Sequence, residues 1–188
     1  FGAVIPPLHL STTFAQTEPG KYTKYDYSRA GNPTRTSYEQ CIASLEGADF
    51  GFGFSSGCAA TSTVIQLLKA GDHVIANDDM YGGTYRLFNS VLSKFGVEFS
   101  YVDLTNSENL SAALQDNTKL VWLETPTNPT LKISDIKEIS KIAHQKGAMV
   151  AVDNTFMSPY FQSPLALGAD MVVHSATKYI NGHSDVVG

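Results

Sequence analysis

Residues 148–187 read AMVAVDNTFMSPYFQSPLALGADMVVHSATKYINGHSDVV, and this stretch decides the fold. Two short apolar runs, 149–152 and 171–173, have the length and β-branched content of strands buried on both faces of a parallel sheet. Asp153 closes the first run, and His174, Ser175, Thr177 and Lys178 follow the second. In open α/β sheets ligands gather beyond the carboxyl ends of the strands, so a carboxylate and a lysine are delivered to one rim. The interval between the runs leaves room for the crossover that parallel neighbours require.

A lysine, an acid and hydroxyls on one rim match what pyridoxal phosphate needs from a protein. These needs are a lysine for a Schiff base, an acid beside the pyridine nitrogen and donors for the phosphate. Lys178, Asp153 and the hydroxyls of Ser175 and Thr177 fit those roles. Taken singly, Asp153 reads as a turn cap and Lys178 as a surface lysine. Their combination points to a cofactor.

Composition bounds the alternatives. The chain has 188 residues, 43% of them hydrophobic and 16% charged, which is ordinary usage for one well-buried domain. A formal charge of −5 and a pI near 5.4 argue against nucleic acid as a partner, because phosphate backbones demand a basic face. The longest uncharged run, 50–68, is broken by Gly, Ser, Thr and Gln, so no membrane span is expected. Cys41 and Cys58 form no metal-like spacing. No metal is therefore expected, and a reduced, cytoplasmic setting is the simplest reading. The chain opens at Phe1 without an initiator Met and stops directly after the lysine segment, so a fragment is expected.

Earlier in the chain, residues 1–18 carry a proline pair and mixed polarity, as an extended arm would. Residues 25–35, YDYSRAGNPTR, offer Tyr27 and Arg29 as a phenol and a planar guanidinium suited to a phosphate. Their alternative is an ordinary surface loop. A helix is expected over 34–45, with Gly47 as its stop. Residues 51–68, GFGFSSGCAATSTVIQLL, read as strand, glycine turn and helix. The helix start attracts a phosphate, and Gly57 permits close backbone approach.

The same segment holds Gly53-Phe54-Ser55-Ser56-Gly57, which matches the G-x-S-x-G elbow of serine hydrolases. Asp153 and His183 follow in the order that such a triad requires, but this reading leaves Lys178, Arg29 and Tyr81 unexplained.

Further strands are expected over 71–79, 97–103 and 120–124, with a helix over 107–114. Tyr81 lies just past the first of these strands, where its ring could stack on a planar cofactor. Asn128 sits in the proline-bounded turn ETPTNPT and has an amide able to donate to a ring hydroxyl oxygen. Residues 134–146 form the cleanest helix, with Ser134 as N-cap, Ile136, Ile139, Ile142 and Ala143 as the buried stripe, and Gly147 as the stop. Strand and helix patterns alternate, so the fold class is α/β, a three-layer sandwich around a mostly parallel sheet.

SATKYINGHSDVVG, VDNTFMSPYFQSPLALGAD, YSRAGNPTR, SSGCAA and ETPTNP together resemble the motifs of the Cys/Met-metabolism pyridoxal-phosphate enzymes. That family includes cystathionine γ-lyase, cystathionine γ-synthase and methionine γ-lyase, and the second segment is most similar to the γ-lyase form. The resemblance implies an aspartate-aminotransferase-like, fold type I large domain over 36–188, with the C-terminal domain missing. It also implies an arm and cross-subunit phosphate loop over 1–35.

By the same resemblance Lys178 carries the cofactor and acts on substrate protons, Asp153 holds the ring nitrogen protonated and Tyr81 stacks on the ring. Gly57, Cys58, Ser175 and Thr177 surround the phosphate with Tyr27 and Arg29 of a neighbouring subunit. Asn128 and Thr155 belong to the cofactor site, and Arg29, Tyr81 and Arg86 lie near the substrate.

The implied reaction is γ-elimination of L-cystathionine to cysteine, 2-oxobutanoate and ammonia, in trans-sulfuration and cysteine biosynthesis within methionine metabolism. The implied assembly is a homotetramer of dimers with shared sites. A γ-synthase acting on an acylated homoserine is the nearest alternative. Methionine γ-lyase is disfavoured because Gly83 stands where those enzymes carry a cysteine. A family member without cofactor, kept for protein contacts, is the non-enzymatic alternative.

Overall fold

The computed structural model describes residues 4–188, so the first three residues of the expected arm lie outside it. The chain divides into two compact units, 1–53 and 54–188.

In the first unit the arm does not run free. Thr13 bridges Tyr27 in antiparallel fashion, with Phe14 N–H donating to Asp26 O and Ser28 N–H to Thr12 O. Helix α1 (Pro33–Glu46) follows, started by Asn32, whose side chain accepts from the Thr34 amide, and ended by Gly47 at φ 71°. Asn32 also donates to His9 O, and Thr34 Oγ1 accepts the His9 amide, so the helix start pins the arm.

The strand expected after residue 50 does not form. Gly51 packs so closely on α1 that a Cβ there would lie 2.2 Å from Glu39 O, and Gly53 N–H donates to Glu39 Oε1 at 2.9 Å. Two glycines in alternate positions weaken a strand and leave the segment free to lie on the helix instead.

The second unit is built on five parallel strands in the order β2-β1-β3-β4-β5. They are β1 (His73–Asn77), β2 (Glu98–Val102), β3 (Thr118–Glu124), β4 (Met149–Asp153) and β5 (Met171–Val173). Alternate residues point to opposite faces. Val74, Ala76, Leu120, Trp122, Ala151 and Val173 pack with Ile65 of α2 (Gly57–Ile65) and Phe88 of α3 (Gly82–Ser90). Ile75, Val121, Leu123, Val150 and Val152 pack with Leu110 of α4 (Ser107–Ala113) and with Ile136, Ile139 and Ala143 of α5 (Ile136–Gln145). Three layers result, and covering both faces of the sheet is why β1 is buried throughout.

The N-cap of α5 is Asp135 rather than Ser134. Asp135 Oδ1 accepts the Glu138 amide at 3.0 Å, whereas Ser134 is drawn inward by donating its own amide to Thr125 Oγ1. Among the described residues no helix is long and apolar enough to cross a membrane.

Candidate active site

The strand order reverses between β1 and β3, and an open sheet of this kind binds ligands at that switch point. A cavity of about 270 Å³ opens there, lined by Gly57, Cys58, Tyr81, Asn128, Asp153, Thr155, Ser175, Thr177 and Lys178, with Glu124, Pro126 and Phe156. The sequence-predicted groups of the second unit are thus gathered in one place, except Arg86, which is exposed on α3 and is not among the lining residues. Tyr27 and Arg29 belong to the first unit, where Arg29 Nη2 donates to Tyr27 Oη at 3.0 Å.

One end of the cavity suits an anion. Ser56 caps α2 by accepting the Ala59 amide, and helix geometry leaves the first-turn amides of Gly57 and Cys58 without intrahelical acceptors. A Cβ on residue 57 would lie 2.9 Å from Ser175 Cβ, so glycine is what lets this turn rest against the segment after β5.

Thr155 ties the same region together. Its amide donates to Asp153 Oδ1 at 3.0 Å, and its hydroxyl oxygen accepts the Ser175 amide at 2.8 Å. Burial pushes the Asp153 carboxyl up, while hydrogen bonds from Thr155 and the nearby His174 oppose the rise. A cation beside Asp153 would relieve that burial cost by keeping the carboxylate ionised.

The residue that sequence reading missed is Glu124. It is 5% exposed, and its two oxygens accept the Tyr81 amide at 3.1 and 3.0 Å. Oε1 also accepts the Asn128 amide at 2.8 Å. Burial and the charge of Asp153 push its carboxyl up to about 7. The signal in the sequence was an acid ending an apolar strand run. Its partner at Tyr81, 43 residues away, was not visible there.

The Asn128 turn has a second anchor in Asp79, which accepts from the hydroxyls of Thr127 and Thr130 and from the Thr130 amide. Burial alone would raise the Asp79 carboxyl, but these bonds and Lys132 together hold it below its ordinary value.

The hydrolase alternative fails on this geometry. No strand leads into Ser55, Ser56 serves as a helix cap, and His183 Nδ1 lies 2.6 Å from Asn181 O. No Ser55–His183–Asp153 relay exists among the described residues, where Asp153 Oδ1 is held by Thr155.

The donor set fits pyridoxal phosphate: helix-start amides and hydroxyls, a lysine on the wall and a half-buried acid. The family model for the Cys/Met metabolism PLP-dependent enzymes matches residues 1–188. This chain belongs to that family.

Among relatives of this family member is a cystathionine gamma-lyase of Dictyostelium discoideum, 57% identical over 187 residues, covering 99% of the chain and 48% of that protein. A probable cystathionine gamma-synthase of Herpetosiphon aurantiacus is 54% identical, over 100% of the chain and 59% of that protein. The crystal structure of cystathionine gamma-lyase from Lactobacillus plantarum complexed with L-serine superposes with a TM-score of 0.96. That structure is 49% identical and is matched over 99% of this chain and 49% of its own. The chain spans about half the length of the relatives it matches. Its sheet and helices are those of the fold type I pyridoxal-phosphate enzymes.

Proposed function

We propose that this chain forms the cofactor-binding part of a pyridoxal-phosphate-dependent carbon–sulfur lyase of trans-sulfuration. It cleaves L-cystathionine to cysteine, 2-oxobutanoate and ammonia by γ-elimination. The observation that carries the reading is that Lys178, Asp153, Tyr81 and the first turn of α2 line one and the same cavity.

When bound, pyridoxal phosphate supplies an electron sink for the pair left at Cα after proton loss. Lys178 would hold the cofactor and would serve as the base for the substrate's Cα proton. Asp153, oriented by the Thr155 amide, would hold the cofactor's ring nitrogen protonated. Tyr81 would lie against the bound cofactor, and Lys178 or Tyr81 would be placed to carry the substrate's Cβ proton in the γ-elimination. Gly57, Cys58, Ser175 and Thr177 would hold the phosphate, and the Asn128 amide would serve the ring hydroxyl.

In this reading residues 36–188 are the cofactor domain, and residues 1–35 serve a neighbour, whose phosphate takes Tyr27 and Arg29. Arg86 lies near the substrate. The exposed Val4, Ile5, Leu8 and Leu10 of the arm support assembly into a homotetramer of dimers, and two free cysteines suit a cytoplasmic enzyme.

The gamma-synthase relative favours one second reading, cysteine addition to an acylated homoserine. Product analysis of the full-length protein separates the two. Cystathionine should yield 2-oxobutanoate and cysteine, whereas an enzyme that only joins cysteine to an acylated homoserine would refute the lyase. Borohydride should fix the cofactor onto Lys178, and retention of its absorption band by Lys178→Ala would refute the cofactor assignment. Absence of both band and turnover in an intact assembly would instead support the non-catalytic alternative.

A further inference from the structure

Tyr81 and Asn128 reach the cavity from two different connections, one after β1 and one after β3, yet both backbones end on the same side chain. Glu124 accepts the Tyr81 amide on both oxygens and the Asn128 amide on Oε1. Its own amide donates to Asn77 Oδ1 at 2.7 Å, which ties the ends of β1 and β3 together beneath it. Tyr81 starts α3 without a side-chain cap, so Glu124 provides the anion at that helix start.

From this convergence we propose that Glu124 is a positioning residue, whose carboxylate clamps the backbone at Tyr81 and Asn128 and so sets where the ring of one and the amide of the other stand around the cofactor. The inference rests on the cofactor reading of the cavity.

The charged groups around the clamp make its strength sensitive to protonation. Asp153 stands opposite in register on β4, Asp79 lies beyond β1, and Lys178 lines the same cavity. Ionised, Glu124 has two accepting oxygens, and bonds to a charged acceptor are about twice as strong as neutral ones. Protonated, one oxygen becomes a donor facing amide donors, and the grip loosens. With the carboxyl pushed up to about 7, both forms are populated near neutrality. Glutamine is the permanent analogue of the protonated form, and alanine removes the clamp.

The test compares full-length wild type, Glu124→Gln and Glu124→Ala for pyridoxal phosphate affinity and for hydrogen-exchange protection of the Tyr81 and Asn128 amides, from pH 5.5 to 8.5. At high pH, Glu124→Gln is expected to bind about tenfold more weakly and to lose about tenfold in protection at both amides. At low pH the gap to wild type should close to about twofold or less, because wild type has become protonated. Glu124→Ala should be impaired throughout.

A gap that stays constant with pH, or no gap, overturns the proposal, because a residue that merely packs has no reason to track protonation. Should both variants fail to fold, wild type alone decides: protection at Tyr81 and Asn128 must fall as pH drops through about 7, and unchanged protection overturns the clamp. If wild type itself does not bind pyridoxal phosphate, the functional reading falls, while the exchange data still judge the clamp.

Discussion

Glu124 and Asp153 end neighbouring parallel strands opposite one another in register, so two carboxyls share the floor of one cavity. Both are pushed up, Asp153 by burial and Glu124 to about 7 by burial and by Asp153. A raised carboxyl binds its proton more tightly in the folded chain than in the unfolded one. Its contribution to stability is therefore full below the unfolded value near 4.5 and is lost as pH climbs to about 7. The melting temperature of cofactor-free full-length protein should decline across that window. Glu124→Gln should flatten that decline, removing up to about 3 kcal/mol of the pH-dependent loss in unfolding free energy. A decline parallel to that of wild type would refute this assignment of the titration.

Gly83 lies directly beneath the Tyr81 ring, where an added Cβ would sit 2.3 Å from Cε1. The ring is 45% exposed and can swing away, so Gly83→Cys should fold with a stability change of about 1 kcal/mol or less. The displaced ring should shift the cofactor absorption and lower kcat/KM for cystathionine about tenfold. An unchanged spectrum together with unchanged turnover would show that the ring position does not matter.

Gly57→Ala meets backbone rather than a flexible tip, because the new Cβ would lie 3.1 Å from Ser175 Cα as well as 2.9 Å from its Cβ. Separating the first turn of α2 from Ser175 should cost about 1–3 kcal/mol in stability. Cofactor affinity should fall at least about tenfold, measured by titration with pyridoxal phosphate. Full affinity would remove this turn from the phosphate site.

Arg29 and Tyr27 form a hydrogen-bonded pair exposed in the first unit. If the pair serves a neighbour's phosphate, Arg29→Ala should weaken cofactor retention by about ten- to a hundredfold and should weaken assembly with it. Mixing full-length Arg29→Ala with Lys178→Ala subunits should restore activity, since a hybrid dimer holds one site with both residues intact. Complete subunit exchange without recovered activity would overturn the cross-subunit placement of Arg29.

The α/β class, the parallel sheet and the meeting of Asp153 and Lys178 on one cavity wall were legible in the sequence, because each follows from local pattern. Buried strands are short apolar runs, their carboxyl ends are marked by the first polar residue, and α/β sheets collect ligands there. Helix α5 was legible for the same reason, down to three residues of its buried stripe, since a 3.6-residue period is a property of neighbours.

What only the tertiary structure decided are relations between distant segments. The segment at 51–54 has strand-like alternation, but Glu39 takes its amide and the helix surface takes its glycines. Asp135 displaces Ser134 as a cap because Thr125 draws the serine amide inward. Arg86, close in sequence to Tyr81, is exposed on α3 and is not among the residues that line the cavity. Glu124 acquires its role only when the register of β3 with β4 and the loop after β1 bring Asp153 and the Tyr81 amide to it. A carboxylate's burial and its hydrogen-bond partners are set by packing across the sheet, and no period in the sequence encodes them.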